Sequence, residues 1–150
     1  ASVEALARLR EQGKIRHIGL SNVTREHVER ARKIVPIASV QNRYSFGDRE
    51  SDFIVDYCEE NEIAFLPWAP IGQARAAHEV LRQVAHQLYA TPIQIALAWL
   101  LKRSRVIVPI PGTASVAHLE ENIVAGMVEL SQRAFETLSA VRPAYVSLRD

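Results

Sequence analysis

Four short apolar runs, at residues 15–20, 38–41, 63–68 and 106–110, each give way to a polar or glycine-bearing turn and then to helical periodicity. Strand followed by helix, repeated with short links, predicts right-handed βαβ units and a parallel sheet. The runs are nearly continuous in apolar residues, as expected when a sheet is covered on both faces. Two architectures accommodate such a chain: a doubly wound sheet or a stretch of (β/α) barrel. The doubly wound dinucleotide fold requires a glycine-rich turn after its first strand. Gly19, Leu20, Ser21 and Asn22 supply no such turn. The expected architecture is therefore α/β and parallel barrel-type, with about four βα units plus C-terminal helices. Closure takes about eight strands, so the chain amounts to half a TIM barrel, organised as one domain over residues 1–150. A half barrel leaves strand edges and an apolar inner face uncovered, which makes homodimerisation through those edges an expectation.

Local signals set the helices. Ser2 caps a helix to about residue 12, with Val3, Leu6 and Leu9 inward and Gly13 as its stop. Thr24 caps a second, closed by Pro36, and residues 51–60 form a third with Phe53, Ile54 and Tyr57 at helical spacing. A fourth covers residues 75–89. Thr91 followed by Pro92 starts a fifth that reaches about residue 103, and residues 115–125 and 131–141 complete the set.

At 48% hydrophobic and 23% charged residues, the composition is that of a globular chain and argues against global disorder. The net charge of +1 favours no partner class, and no basic run interleaved with aromatics supports nucleic-acid binding. Cys58 is the single cysteine, which rules out an intrachain disulfide and fits a reducing compartment such as the cytoplasm. The apolar runs are too short to span a membrane and the N-terminus carries no secretory pattern. The chain begins within a helix and has Met127 as its only methionine, so both initiator removal and a fragment of a longer protein fit.

In a (β/α) barrel the ligand site lies at the C-terminal ends of the strands. Those ends carry Ser21 and Asn22, Gln41 and Asn42, residues 68–72, and residues 111–113. Adjacent hydroxyl and amide groups suit a carboxamide edge, and they serve equally as helix caps and turn formers. Trp68 offers a flat face for a planar ring, or a rim aromatic of the core. The turn at Gly112 and Thr113 precedes a helix, where unpaired N–H groups favour an anion. Glu121 and Asn122 on that helix are positioned for a base or for solvent.

These segments together resemble the C-terminal half of an aldo-keto reductase, the barrel family that reduces carbonyls with NADPH. The resemblance is carried by residues 13–22, 40–44, 67–72, 110–113 and 120–122, in that order and spacing. It implies that Ser21, Asn22 and Gln41 hold the nicotinamide carboxamide and that Trp68 stacks on its ring. It further implies that Ile71, Gly72 and Gln73 line the pyrophosphate, that Gly112 and Thr113 approach the adenosine phosphate, and that Glu121 and Asn122 contact adenine. Family members commonly carry a Lys and an Arg for the 2′-phosphate where this chain has Gly112 and His118. NADP(H) is the implied cofactor, with NAD(H) left open. The loop that often straps the cofactor is shortened after Gly72.

The family's proton-donating Tyr, with its Lys, Asp and His partners, belongs to earlier strands that this sequence lacks. Tyr44, placed in a loop at the ligand face, has no accompanying Lys. His17 lies in the first strand, His27, His78 and His86 on helix surfaces, and Cys58 in a core. No catalytic residue and no metal-ligand spacing is assigned. The implied activity is hydride transfer to a small carbonyl substrate once the N-terminal half is supplied, with little turnover by this chain alone. The alternative is a non-enzymatic dinucleotide-binding or self-associating half-barrel module.

Overall fold

The computed structural model describes residues 2–72 and 79–141. In chain order the elements are α1 (Ser2–Glu11), β1 (Gly19–Ser21), α2 (Arg25–Arg32), β2 (Ser39–Gln41), α3 (Asp52–Glu60), β3 (Ala64–Phe65), α4 (Glu79–Gln87), α5 (Pro92–Arg103), α6 (Val116–Val124), a 3-10 turn (Ala125–Met127) and α7 (Gln132–Ser139). The strands form a parallel sheet in the order β1-β2-β3, as the strand–helix alternation predicts.

Capping fixes the helix starts. The Thr24 hydroxyl accepts from the His27 amide while the His27 ring accepts from the Thr24 amide. Thr91 and Gln94 make the same reciprocal pair at α5, with Pro92 at the first helical position where its missing N–H costs nothing. Ser2 differs from expectation, lying inside α1 rather than capping it. Ser51 flanks α3 without a capping bond and instead donates its hydroxyl to the Arg43 carbonyl. The start of the helix expected over residues 75–89 lies outside the described residues.

The core sits between sheet and helices. Helix α5 buries six consecutive residues, Ile95 to Leu100, which marks it as a central helix enclosed on all sides. Around it pack Val40, Phe65, Tyr44, Phe46 and residues of α3, α4 and α7. A smaller cluster of Ala7, Ile18, Ala31, Val35 and Ile37 joins α1 and α2 to the sheet edge, with Leu20 touching both clusters. Phe53 departs from the expected inward stripe: it is 83% exposed, while Ile54, Val55, Tyr57 and Cys58 form the buried face of α3.

The fourth apolar run, residues 106–110, does not form a strand. Ile107 makes a single parallel bridge with Phe65, through the Phe65 amide to the Val106 carbonyl and the Val108 amide to the Phe65 carbonyl, both 2.8 Å. The next rung in this register would run from the amide of residue 67 to the Val108 carbonyl, and Pro67 has no amide proton, so the ladder stops after these two bonds. The first run is also shorter than expected, and His17 lies exposed ahead of β1 rather than within it.

Register decides which side chains share a face. Leu20, Val40 and Phe65 are register partners, and Val40 and Phe65 are fully buried against the helices. The pleat then turns Gly19, Ser21, Ser39, Gln41 and Ala64 to the other face, where none is buried. The inner face over β1 and β2 is therefore small and polar, not apolar as expected. Beyond β3, the segment across the bridge leaves Val108 and Ile110 exposed.

Candidate functional site

At the C-terminal ends of the strands the backbone bends sharply. Asn22 (φ 52°), Ala69 (φ 51°) and Gly72 (φ 45°) all occupy the left-handed region. Asparagine and glycine tolerate it; alanine there stores about 1 kcal/mol or more. Gly72 has a second requirement, because a Cβ at this position would stand 2.5 Å from the Ser45 hydroxyl, and Ser45 is itself buried.

Ser21 and Gln41 are register partners and so present their side chains together, Ser21 exposed and Gln41 half-buried. The Asn22 amide N–H donates to the Gln41 carbonyl at 3.0 Å, extending the ladder past β1. Trp68 bridges in parallel to Arg43, and its indole N–H donates to Asn22 Oδ1 at 2.9 Å. Four of the residues singled out from sequence, Ser21, Asn22, Gln41 and Trp68, are thus brought to one mouth. Ile71, half-buried, and Gly72, exposed, follow directly on the Trp68 turn. Gln73 lies outside the described residues, as does the segment expected to hold a shortened loop.

The second group lies across the Phe65–Ile107 bridge, which makes the segment leading to Gly112 the neighbour of β3. Gly112, Thr113 and His118 are exposed. The Thr113 hydroxyl accepts from the Ser115 amide at 3.1 Å, and Ser115 caps α6 by accepting from the His118 amide. Glu121 is half-buried and accepts a 2.6 Å bond from the Thr91 hydroxyl, which ties α6 to the start of α5. Asn122 is half-buried beside it.

Two residues of the mouth, Asn42 and Arg43, are given no cofactor contact by the resemblance. Asn42 donates to the Val23 carbonyl (2.8 Å) and accepts from the Val23 amide (3.1 Å), so its amide stands in for one residue of a strand and clamps the β1–α2 loop. Arg43 lays its guanidinium over the Trp68 ring, 5.7 Å from the centroid, and is anchored by Asp48 at 3.0 Å. Strand alternation could have found Arg43, since it lies two residues beyond Gln41 and on the same face.

Tyr44 is not at the mouth. It is fully buried, edge-on to Phe65 (5.8 Å, 89°) and stacked on Trp99 (6.1 Å, 29°), and its hydroxyl donates to Asp52 at 2.5 Å. Burial foremost, then the bond to Asp52, pushes its pKa well above the usual phenol range. A phenol in that setting holds its proton and is no acid catalyst near neutral pH. Cys58 is buried and free, its thiol pushed up to about 11 by burial. A cleft of about 360 Å³ lined by Arg49, Asp52, Trp99, Arg103, Phe135 and Ser139 lies among the helices, away from the strand ends. Its polar groups are spent on one another: Arg103 on Asp52 and Asp56, Arg49 on the last carbonyls of α7, and Trp99 on Ser139. No metal-binding group of side chains occurs among the described residues, and no helix among them is long and apolar enough to cross a membrane.

Against this geometry, the model of the aldo/keto reductase family matches residues 1–143. Pyridoxine 4-dehydrogenase of Escherichia coli (strain K12) is 46% identical over 142 residues, covering 94% of this chain and 50% of that protein. The crystal structure of the thermostable aldo-keto reductase Tm1743 superposes with a TM-score of 0.83 at 30% identity, over 92% of this chain and 53% of that one. An aldo-keto reductase from Klebsiella pneumoniae in complex with NADPH superposes with a TM-score of 0.81 at 26% identity, over 96% and 54%. The chain spans about half the length of these relatives.

Proposed function

This chain belongs to the aldo/keto reductase family, and on that premise we propose that it is the cofactor-binding half of an NADP(H)-dependent carbonyl reductase. The observation that carries the reading is the convergence of Ser21, Asn22, Gln41 and Trp68 on one strand-end mouth. Their chemistry fits a nicotinamide: a hydroxyl and two amides for the carboxamide, and a planar ring beside them. Gly72, with no side chain, lets the backbone approach the pyrophosphate beside Ile71, and Gln73, outside the described residues, is assigned there by the resemblance alone. Gly112 and Thr113 approach the adenosine phosphate and His118 offers a ring N–H toward the 2′-phosphate. Glu121, already bonded to Thr91 through Oε1, has Oε2 left for adenine, with Asn122 beside it.

When bound, the cofactor supplies a hydride for the carbonyl carbon of a small aldehyde or ketone. The residues of this chain bind and orient it. The proton for the carbonyl oxygen comes from outside the described residues, because the Tyr44 phenol is sealed in the core. In the family the donor Tyr and its Lys and Asp partners lie on the other half of the barrel. The buried, unpaired Cys58 supports a reducing, cytoplasmic setting.

Titrating the chain with NADPH tests the reading. Trp68 fluorescence quenches saturably, tighter than with NADH, whereas Trp68→Phe leaves only the insensitive, buried Trp99. Absence of saturable quenching refutes cofactor binding. Robust reduction of an aryl aldehyde by the chain alone refutes the assignment of acid catalysis to the other half.

A specific observation favours self-association as a second reading. Helix α6 buries no residue, and Val116, Leu119, Ile123 and, in the following turn, Met127 form a stripe at least half exposed. Two copies joined through this stripe and the bare sheet edges would sediment as a dimer, which Leu119→Glu returns to monomer; a wild-type monomer at high concentration excludes it.

A further inference from the structure

The side-chain amide of Asn22 has an oxygen at one end and an NH2 at the other, and the two ends read opposite partners. In this chain its orientation is set from within. The Trp68 indole nitrogen can only donate, and it donates to Asn22 Oδ1 at 2.9 Å. The oxygen end is thereby committed to Trp68, and Nδ2 is directed away from it. Trp68 itself cannot drift. Its backbone N–H donates to the Asn42 carbonyl (3.1 Å), its own carbonyl accepts from the Tyr44 amide (3.4 Å), and Arg43, anchored by Asp48, covers its ring. On the Asn22 side, the backbone is held in the left-handed region with its N–H on the Gln41 carbonyl.

We propose that the Trp68 indole N–H is a positioning group, which fixes Asn22 with Nδ2 as the donor to the carbonyl oxygen of the nicotinamide carboxamide. This rests on the cofactor reading above and adds to it a direction of recognition: Asn22 reads the carboxamide oxygen, leaving the carboxamide NH2 to the Gln41 and Ser21 oxygens. Trp68 then has two separable jobs. The ring face stacks, which any aromatic would do, and the N–H aims Asn22, which neither Phe nor Tyr can do from the same ring position.

Two measurements test it. The first needs no cofactor: in the unaltered chain the Trp68 indole proton is protected from solvent exchange, and Asn22→Ala removes that protection while the Trp99 indole, bonded to Ser139, is unmoved. An unchanged Trp68 indole signal overturns the proposal. The second is calorimetric titration of the chain, Trp68→Phe, Asn22→Ala and the double variant with NADP+ and with its 3-acetylpyridine analogue, which keeps the carbonyl oxygen and lacks the NH2. Trp68→Phe weakens both ligands by about fivefold, the scale of one hydrogen bond, and weakens them little further in the Asn22→Ala background. Penalties that multiply in the double variant mean stacking alone and overturn the proposal. So does a loss seen with NADP+ but not with the acetylpyridine analogue, because Asn22 would then be accepting from the NH2. No binding of NADP+ by the unaltered chain refutes the functional reading and this proposal together. Binding indifferent to Trp68→Phe refutes the proposal alone.

Discussion

Replacing Tyr44 by Phe separates a core phenol from a catalytic one. The ring packing against Phe65 and Trp99 survives the change, so no cavity larger than one oxygen opens. What is lost is the 2.5 Å bond from the hydroxyl to Asp52. Hydrogen bonds to charged groups are worth about 1.5–3 kcal/mol. Asp52 keeps Arg103 at 3.4 Å and its side chain remains 39% exposed, so water and Arg103 take up part of the loss. The cost should fall near the lower end, about 1.5 kcal/mol at about pH 8. The alkaline limb adds a second signature. Because the folded-state pKa is raised, the folded chain keeps a proton that the unfolded chain releases at about pH 10. The contribution is complete below about pH 10 and is lost as pH rises, at up to about 1.4 kcal/mol per pH unit. Tyr44→Phe lacks this limb, so the two proteins converge in stability near about pH 11. Urea unfolding followed by circular dichroism at several pH values measures both quantities. A gap that stays constant with pH would refute the assignment of the buried phenol. Cofactor affinity should stay within about twofold, and its loss on Tyr44→Phe would return Tyr44 to the mouth.

Further changes probe the scaffold. Gly72→Ala forces a Cβ onto the buried Ser45 hydroxyl at a positive φ, and should lower stability by about 1–2 kcal/mol in thermal denaturation; an unchanged midpoint would mean the turn relaxes freely. Thr91→Ala removes the cap of α5 and the tie to Glu121, costing about 1–2 kcal/mol. Thr24→Ala, on the exposed start of α2, should cost about half as much, and Thr91→Ser should restore most of the loss by the same urea assay. Cys58, buried and with its thiol pushed up to about 11, should react with a disulfide reagent only as fast as the chain opens. Its share of stability is complete below the unfolded thiol's pKa of about 8.5 and is lost as pH rises toward 11.

Much of this was legible in the residues, for identifiable reasons. Thr91-Pro92 and Thr24 announce helix starts because a hydroxyl and a fixed φ act locally, and the structure places caps at both. Strand length was not legible, because it depends on partners: residues 106–110 look like a strand and make one bridge, since the next donor on the facing chain is Pro67, which has no amide proton. Tyr44 illustrates the same limit. A polar loop between Gln41 and Glu50 gives no local sign that its tyrosine turns inward, and only the distant Asp52, Phe65 and Trp99 decide it. Phe53 failed because helical spacing fixes a face but not its width, and the face of α3 is centred on Val55 and Cys58. Of the mouth, sequence supplied the strand-end groups; the indole bond to Asn22 and the Asn42 clamp are relations between elements and had no local signal.

Core and mouth are set by one constraint. Sheet side chains alternate, so a one-residue slip of β2 would turn Val40 out of the core and carry Gln41 in with it. Fully burying Val40 therefore dictates that Gln41 faces the mouth beside Ser21, and burying Phe65 does the same for the run that ends in Trp68. The Asn42 clamp on Val23 reinforces that choice, since its paired bonds require one register between the two strands. The nicotinamide end of the proposed site thus inherits the stability of the core. The adenosine end does not: Gly112, Thr113 and His118 are exposed and lie beyond a single bridge. Substitutions that loosen the core around Val40 should consequently weaken recognition of the nicotinamide before that of the adenosine phosphates. Comparing NADP+ with 2′-phospho-ADP-ribose, which lacks the ring, in Val40→Ala would show this as a selective loss of affinity for NADP+. An equal loss for both ligands would mean that the two ends share one support and that the argument from register is wrong.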